Sequence, residues 1–329
     1  MSVNNLVENF SGVGIYYNFK DEIVDFEYNG SFLNGKYHGK GELKFKNGDN
    51  YIGEFEEGKI CGHGVFDYKN GSRYEGNFKN GLRNGFGKFS FKNGNIYEGF
   101  FEDGQFNGFG IYYYRNSDQD CININRYEGY FKNDRCNGKG TFYYNDGSKY
   151  ESFWINGNRI SNLKYFYQNG DIYDGEFLNG KRMGIGKMVY KNSDIYEGYW
   201  KNDIFNGYGT YYYNSNHKVF KNCKYEGEFL NGNRDGKGSM HFKNLLKYSG
   251  DWKNDNMTGF GTLYSNENGN LKKKYEGSFS KNKFDGIGSY YYNNFKFKLA
   301  WKKGKIDIFH SIIYKSKFLI PENLTTIII

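Results

Sequence analysis

The sequence predicts an all-β protein: one elongated, twisted antiparallel sheet, built like a solenoid from eleven 23-residue β-hairpin repeats. Three observations predict it. The first is periodicity. Tyrosines open near-copies of one sentence at Tyr28, Tyr51, Tyr74, Tyr97, Tyr127, Tyr150, Tyr173, Tyr196, Tyr225, Tyr248 and Tyr275; seven of the ten intervals are 23 residues and the others are 30, 29 and 27. A fixed period in this range marks a repeat architecture. The second is alternation with period two inside each repeat, the signature of a strand with two unlike faces. The third is composition. Aromatic residues are 21% of the chain and Gly occurs 46 times against a single Pro, a balance suited to pleated strands joined by many tight turns.

Taken in order, residues 1–27 contain Gly12, Gly14 and Tyr16, which match the second half of a repeat. They read as a half-repeat that caps the N-terminal sheet edge, where open backbone groups would otherwise invite pairing. The eleven repeats fill residues 28–297. In the third, Tyr74, Gly76 and Phe78 share one face, opposite Glu75 and Asn77. After a six-residue link, Gly85, Gly87, Phe89 and Phe91 share a face, opposite Phe86, Lys88, Ser90 and Lys92. Pairing Phe78 with Gly85 sets Gly76 opposite Gly87 and Tyr74 opposite Phe89. A bare glycine patch bordered by rings results, and cross-strand aromatic pairs contribute roughly 0.2–1 kcal/mol each.

Two kinds of turn follow. Within repeats, the eighth position holds only Gly, Asp or Asn (Gly35, Gly58, Gly81, Gly104, Asp134, Gly157, Gly180, Asp203, Gly232, Asp255, Asn282). These types best tolerate a left-handed backbone. Between repeats stand Asn47-Gly48, Asn70-Gly71, Asn93-Gly94, Asp146-Gly147 and Asn169-Gly170, strong hairpin signals. Parity selects a three-residue loop there, Lys46-Asn47-Gly48, pairing Phe45 with Asp49 and Leu43 with Tyr51, because a one-residue slip would turn the strand over. The long intervals insert residues near 115–126, 214–224 and 265–274, all at this inter-repeat turn, which places them on one edge. The sixth repeat departs: Ser152 replaces its first glycine, and Ser161 and Leu163 replace its G-x-G pair. A bend or weaker pairing is expected there. Residues 298–329 read as a decayed, basic repeat and a C-terminal cap ending in Ile327-Ile328-Ile329.

Strands about 4.8 Å apart would extend such a sheet to on the order of 100 Å. There is no secretory leader pattern, no apolar run near the roughly 20 residues needed to span a bilayer, and no C-x-x-C spacing among Cys61, Cys121, Cys136 and Cys223. A cytoplasmic chain with free thiols is expected. The histidines (His38, His63, His217, His241, His310) lack metal-ligand spacing. The G-x-G pairs run straight into alternating strand and not into a helix, which argues against a phosphate loop. No cofactor or metal is expected. The second-position glutamates (Glu75, Glu98, Glu128, Glu151, Glu197, Glu226, Glu276) facing lysines such as Lys88, Lys139 and Lys237 read as solvated cross-strand pairs, not as acid–base catalysts.

The pattern Y-E-G-x-F, then G two residues on and N-G-x-G, resembles the MORN repeat (membrane occupation and recognition nexus) over roughly nine-tenths of the chain. The resemblance implies a twisted antiparallel sheet of hairpins and non-catalytic work: scaffolding at membranes and cytoskeletal or flagellar structures, self-association, and in some members affinity for acidic phospholipids. Members that are enzymes, such as plant-type phosphatidylinositol phosphate kinases and certain lysine methyltransferases, carry a separate catalytic domain. Repeats fill this sequence, so no enzymatic activity carries over.

Two candidate surfaces remain. The net charge of +8 is concentrated near the C-terminus: residues 272–317 hold twelve Lys against Glu276, Asp285 and Asp307. Lys272, Lys273, Lys274, Lys296, Lys298, Lys302, Lys303 and Lys305, with Trp301 among them, form a candidate site for an acidic membrane or acidic partner, worth about 1 kcal/mol per Lys near an anionic leaflet. The bland alternative is a solvated basic end. Phe86, Phe109, Ile111, Tyr113, Tyr143, Tyr208 and Tyr212 point outward and form a candidate protein-contact stripe; the bland alternative is ordinary β-propensity. Nucleic acid is disfavoured, because the first 271 residues carry no basic excess. The expectation is a scaffold or adaptor that binds other proteins at a membrane-associated cytoskeleton or axoneme, self-associating as a homodimer, in the cytoplasm near the membrane, cell cortex or flagellum. The alternative is a peripheral acidic-phospholipid-binding module.

Overall fold

The computed structural model describes residues 10–20, 23–115, 123–160, 162–243, 246–267, 270–292 and 295–307. Ser161, Cys121, His310 and the terminal isoleucines lie outside them. The chain divides into two compact units, Met1–Ser161 and Asn162–Ile329. Thirteen described strands, from Gly12–Lys20 to Asn158–Arg159, make up the first unit, and thirteen, from Leu163–Phe166 to Lys305–Ile306, the second. Within each unit, strands pair antiparallel with their sequence neighbours. The fold is all-β, as expected.

The third repeat shows how the motif folds. Strand Arg73–Lys79 pairs with Leu82–Ser90, with Tyr74 opposite Phe89 and Gly76 opposite Gly87. The ladder then shifts, and Phe78 faces Arg83 instead of Gly85. The six-residue link is therefore corrected to two residues, Asn80-Gly81, with φ of 51° and 81°. Positive φ at both positions matches the right-handed twist of the flanking strands, so residues on either side zip into the ladder. The surplus is absorbed in a bulge around Gly85, whose φ is 83°, a conformation glycine adopts without steric cost. The inter-repeat turn has the expected three-residue form. Phe45 N–H donates to Asp49 O at 2.9 Å, Gly48 N–H donates to Phe45 O at 2.9 Å, and Leu43 faces Tyr51.

The tyrosine explains the glycines. Tyr74 is fully buried, with its ring lying across Gly76 and Gly87. A methyl group on Gly87 would stand 2.6 Å from Tyr74 Cε2 and Cζ, and one on Gly76 would stand 2.6 Å from the hydroxyl. The hydroxyl donates to Asn77 O, the carbonyl that faces the bulge from the partner strand, at 2.9 Å. Nine other repeats make the same bond three residues ahead, at 2.8–3.3 Å: Tyr28, Tyr51, Tyr97, Tyr127, Tyr173, Tyr196, Tyr225, Tyr248 and Tyr275. Burial pushes the Tyr28 and Tyr74 phenols up to about 12 and raises the other eight as well.

Rings then link repeat to repeat. Tyr74 meets its own Phe78 edge-on at 5.0 Å and the next repeat's Phe101 at 5.0 Å. Tyr196 does the same with Trp200 at 5.2 Å and Phe229 at 5.3 Å. Such pairs are worth about 0.5–1.5 kcal/mol each beyond area burial. One core runs from Tyr28 to Phe142 in the first unit, another from Tyr173 to Trp301 in the second. The sixth repeat breaks the pattern as anticipated. Its second strand shrinks to Asn158–Arg159, two pairs long, and Leu163 sits buried opposite Gly175.

Candidate interaction surfaces

The face opposite the tyrosines carries the candidate residues. In the first unit the ladder sets Phe86 opposite Phe100 and Phe109 opposite Tyr130. The rings meet edge-on at 5.7 and 5.6 Å. All four remain about half exposed, from 47% to 52%. The bulge glycines are what make room for them. Phe100 and Tyr130 lie over Gly108 and Gly138, where an added Cβ would come within 3.3 Å of the aromatic Cβ. Phe153, opposite Lys139, is exposed at the same position of the next repeat.

Phe86 and Phe109 thus belong to a real apolar row. Phe100, Tyr130 and Phe153, which occupy the variable position of Y-E-G-x-F, were missed by the sequence reading. Alternation alone sets that position outward, as it does Asn77; the bulge glycines add room for a ring beside the next strand, and the bulge was not anticipated. Ile111, Tyr113 and Tyr143 lie elsewhere on the face and are half-buried. Ile111 sits between Glu98 and Glu128. Tyr143 lies under the Arg126 guanidinium at 3.8 Å and donates to Glu128 at 3.0 Å. Tyr208 and Tyr212, in the second unit, are exposed beside charge: Tyr208 donates to Glu226 at 3.3 Å, and Lys224 lies 5.5 Å from the Tyr212 ring. The single stripe expected from the sequence is therefore corrected to an apolar row over residues 86–130 with isolated rings elsewhere.

The lysines also divide. Lys272 and Lys274 pair with Glu267 at 2.9 and 3.1 Å, and Lys273 with Glu276 at 2.6 Å. Hydrogen bonds from Lys272 and Lys274 hold the Glu267 carboxyl down at about 2. These three extend the inter-repeat hairpin, where Glu267 faces Asn270. Lys296 and Lys298 lie exposed on strand Phe295–Lys302, and Lys302, Lys303 and Lys305 surround the Lys303-Gly304 turn at its far end. At about 3.3 Å per residue, Lys296 and Lys303 stand roughly 23 Å apart. Trp301 is corrected outright. It is 3% exposed and packs on Phe284 at 5.0 Å and Tyr275 at 5.9 Å, in the slot that Trp252 and Phe279 fill in earlier repeats. It belongs to the core and cannot reach a membrane.

Among the described residues no group of three or more His, Cys, Asp or Glu is placed to hold a metal ion, and no helix is long and apolar enough to cross a membrane.

No curated protein matches the sequence significantly. Among solved structures, the chain is similar to the TCP10 domain of Danio rerio CPAP in complex with a peptide of Danio rerio STIL. The identity is 12% and the TM-score 0.33, with 73% of this chain and 99% of that chain covered. It is also similar to the Drosophila melanogaster SAS-4 (dCPAP) TCP domain in complex with a proline-rich motif of Ana2 (dSTIL), at 10% identity and a TM-score of 0.24, over 65% and 84% of the two chains. Likeness this slight says nothing about the partners of the present chain. The MORN repeat profile, in contrast, matches residues 28–50, 51–73, 74–96, 97–119, 127–149, 173–195, 196–218, 225–245, 248–269 and 275–295, passing over only the sixth repeat between the first and last of these. With its tyrosines hooked over paired glycines across most of its length, the chain belongs to the MORN repeat family.

Proposed function

We propose that this chain is a non-catalytic scaffold that joins partner proteins at a membrane-associated cytoskeleton or axoneme, with the outer aromatic row as a contact surface. One observation carries the reading: Phe86, Phe100, Phe109 and Tyr130 form a run of paired, half-exposed rings on a hydrogen-bonded sheet. Contiguous exposed apolar surface marks interaction sites, and preorganised aromatic anchors supply most of the binding energy at protein interfaces. A second copy of the chain is one partner such a row suits, which supports the homodimer.

The test is a tagged chain followed through detergent extraction of cells. Wild type should remain with the insoluble cytoskeletal fraction, and the Phe86→Ser/Phe109→Ser/Tyr130→Ser variant should wash out. Equal retention of a folded variant refutes the role of the row. Equal solubility of both proteins refutes the scaffold itself.

Acidic phospholipid binding ranks second. The exposed Lys302, Lys303 and Lys305 around one turn favour it. The ion pairs of Lys272, Lys273 and Lys274 and the burial of Trp301 weaken it.

A further inference from the structure

The insertion at 214–224 does more than lengthen a turn. His217 Nδ1 accepts the backbone N–H groups of Val219 and Phe220 at 3.3 and 3.0 Å, which folds the segment back on itself. Phe220 thereby packs on Tyr213 at 5.1 Å and lies 5.1 Å from the Arg234 guanidinium. The result is a cleft of about 790 Å³ on the tyrosine face, lined by Phe220, Arg234, Met240, Phe242, Trp252 and Met257. That volume falls within the roughly 300–1,000 Å³ of small-molecule sites, which combine apolar walls with a few convergent polar groups.

Arg234 is the informative residue. Its position in the repeat is also occupied by Arg83 and Arg182, and each of the three guanidiniums lies on an aromatic ring at 4.5–4.7 Å. Arg83 uses Nη1 on Tyr68 Oη at 3.4 Å and Nη2 on Gly104 O at 2.5 Å. Arg234 gives Nε to Asp255 Oδ1 at 2.9 Å and Nη2 to Asp255 O at 3.1 Å. Its Nη1 is buried and has no hydrogen-bond partner among the described residues, and the residue is only 6% exposed. A cationic donor at this depth has lost its water without gaining a partner, which leaves it poised for an acceptor. Lys218, Lys221 and Lys243 line the same cleft with their side chains exposed, and none of them has an ion pair among the described residues. Asp255 offsets only the charge of Arg234. The cleft therefore has apolar walls, an unsatisfied guanidinium N–H and an uncompensated basic rim.

We infer that this cleft binds a small amphipathic oxyanion, a molecule with an apolar body and a single carboxylate or phosphate head. The body rests on Met240, Phe242 and Met257. The head accepts Arg234 Nη1–H as the Phe220 ring, carried on the insertion, moves aside, and the three lysines draw it in. The site lies within the second unit, on its tyrosine face, and is independent of the scaffold reading.

The experiment is calorimetric titration of the full chain with sodium decanoate below its micellar concentration, repeated with decyl phosphate and decyltrimethylammonium. Decanoate should saturate a single site, decyl phosphate should compete for it, and the cation should not. Arg234→Met should weaken binding at least tenfold. The Lys218→Ser/Lys221→Ser/Lys243→Ser variant, which alters only exposed side chains, should weaken it severalfold and decides the matter if Arg234→Met unfolds. Heats that never saturate, unchanged affinity in the lysine variant, or equal binding of the cation would overturn the proposal. Vesicles of phosphatidylserine and phosphatidylcholine separate a membrane surface from a free ligand: vesicle binding without decanoate binding also overturns it.

Discussion

Replacing Gly87 by alanine tests the central packing claim. The new methyl would stand 2.6 Å from Tyr74 Cε2 and Cζ, so the ring must lift. Forcing a methyl into a packed core costs about 1–3 kcal/mol. Lifting the ring also breaks the bond from the Tyr74 hydroxyl to Asn77 O, for a further ~0.5–1.5 kcal/mol. Together the loss is about 1.5–4.5 kcal/mol. Repeat arrays need not unfold in one step, so the measurement is amide hydrogen exchange of residues 74–90, where the loss reads as roughly ten- to two-thousand-fold faster exchange. Gly147→Ala is the control. That residue has φ of 86° and nothing within 4 Å of an added Cβ, so only the left-handed backbone penalty applies, about 1–2 kcal/mol. Tyr74→Ala supplies the decisive background. With the ring gone the Gly87 methyl has space, and the double variant should be more stable than the sum of the singles by about 1–3 kcal/mol. Additive losses, or exchange in Gly87→Ala within threefold of wild type, would falsify the account of the glycines.

Stability should hold up to about pH 10 and fall above it. The ten hooked tyrosines have folded pKa values above the unfolded value of about 10, so their contribution is complete below that pH and is lost as pH rises toward the folded value, about 12 for Tyr28 and Tyr74. Urea midpoints at pH 8, 9, 10 and 11 check this, and a flat series contradicts it. Tyr196→Phe keeps the ring but removes the bond to Tyr199 O; it should cost about 1 kcal/mol, read as faster exchange near residue 199. Arg83→Met removes the bond to Gly104 O and the stacking on Phe89 at 4.7 Å, and should cost about 1.5–3 kcal/mol. Changing Lys296, Lys298, Lys302, Lys303 and Lys305 to Ser should abolish any flotation with anionic liposomes that 0.5 M salt also abolishes; flotation that survives both changes rules out the lysines.

The hairpin repeat, the faces of its strands and the three-residue inter-repeat turn were all legible, because period and parity are written directly in the residues. The bulge was not. Nothing in alternation alone distinguishes Gly85 as an unpaired residue from Gly85 facing Phe78, since both place it among aromatics. Its positive φ decides, and φ is set by the competition between a long link and a two-residue turn. Phe100 and Tyr130 were overlooked although alternation alone sets their position outward; what the missed bulge hid is the room over Gly108 and Gly138 in which they sit. Trp301 misled for another reason. Its neighbours are lysines, and sequence proximity suggested an interface, whereas its position in the repeat is the one Trp252 fills in the core. The cleft beside Arg234 left no sequence signal, because its walls come from an insertion and three different strands.

Because each of the ten hooked tyrosines fastens its hydroxyl to a carbonyl only three residues ahead, such a repeat closes its own latch and asks of its neighbour only a ring to lean on. The 23-residue cassette is thus interchangeable: excising residues 51–73 would bring Tyr28 against Phe78 in place of Phe55, with the same partner chemistry across the seam. Such a chain can lengthen or shorten in whole units through replication slippage without redesigning its interior, which leaves the outward side chains free to diversify unit by unit.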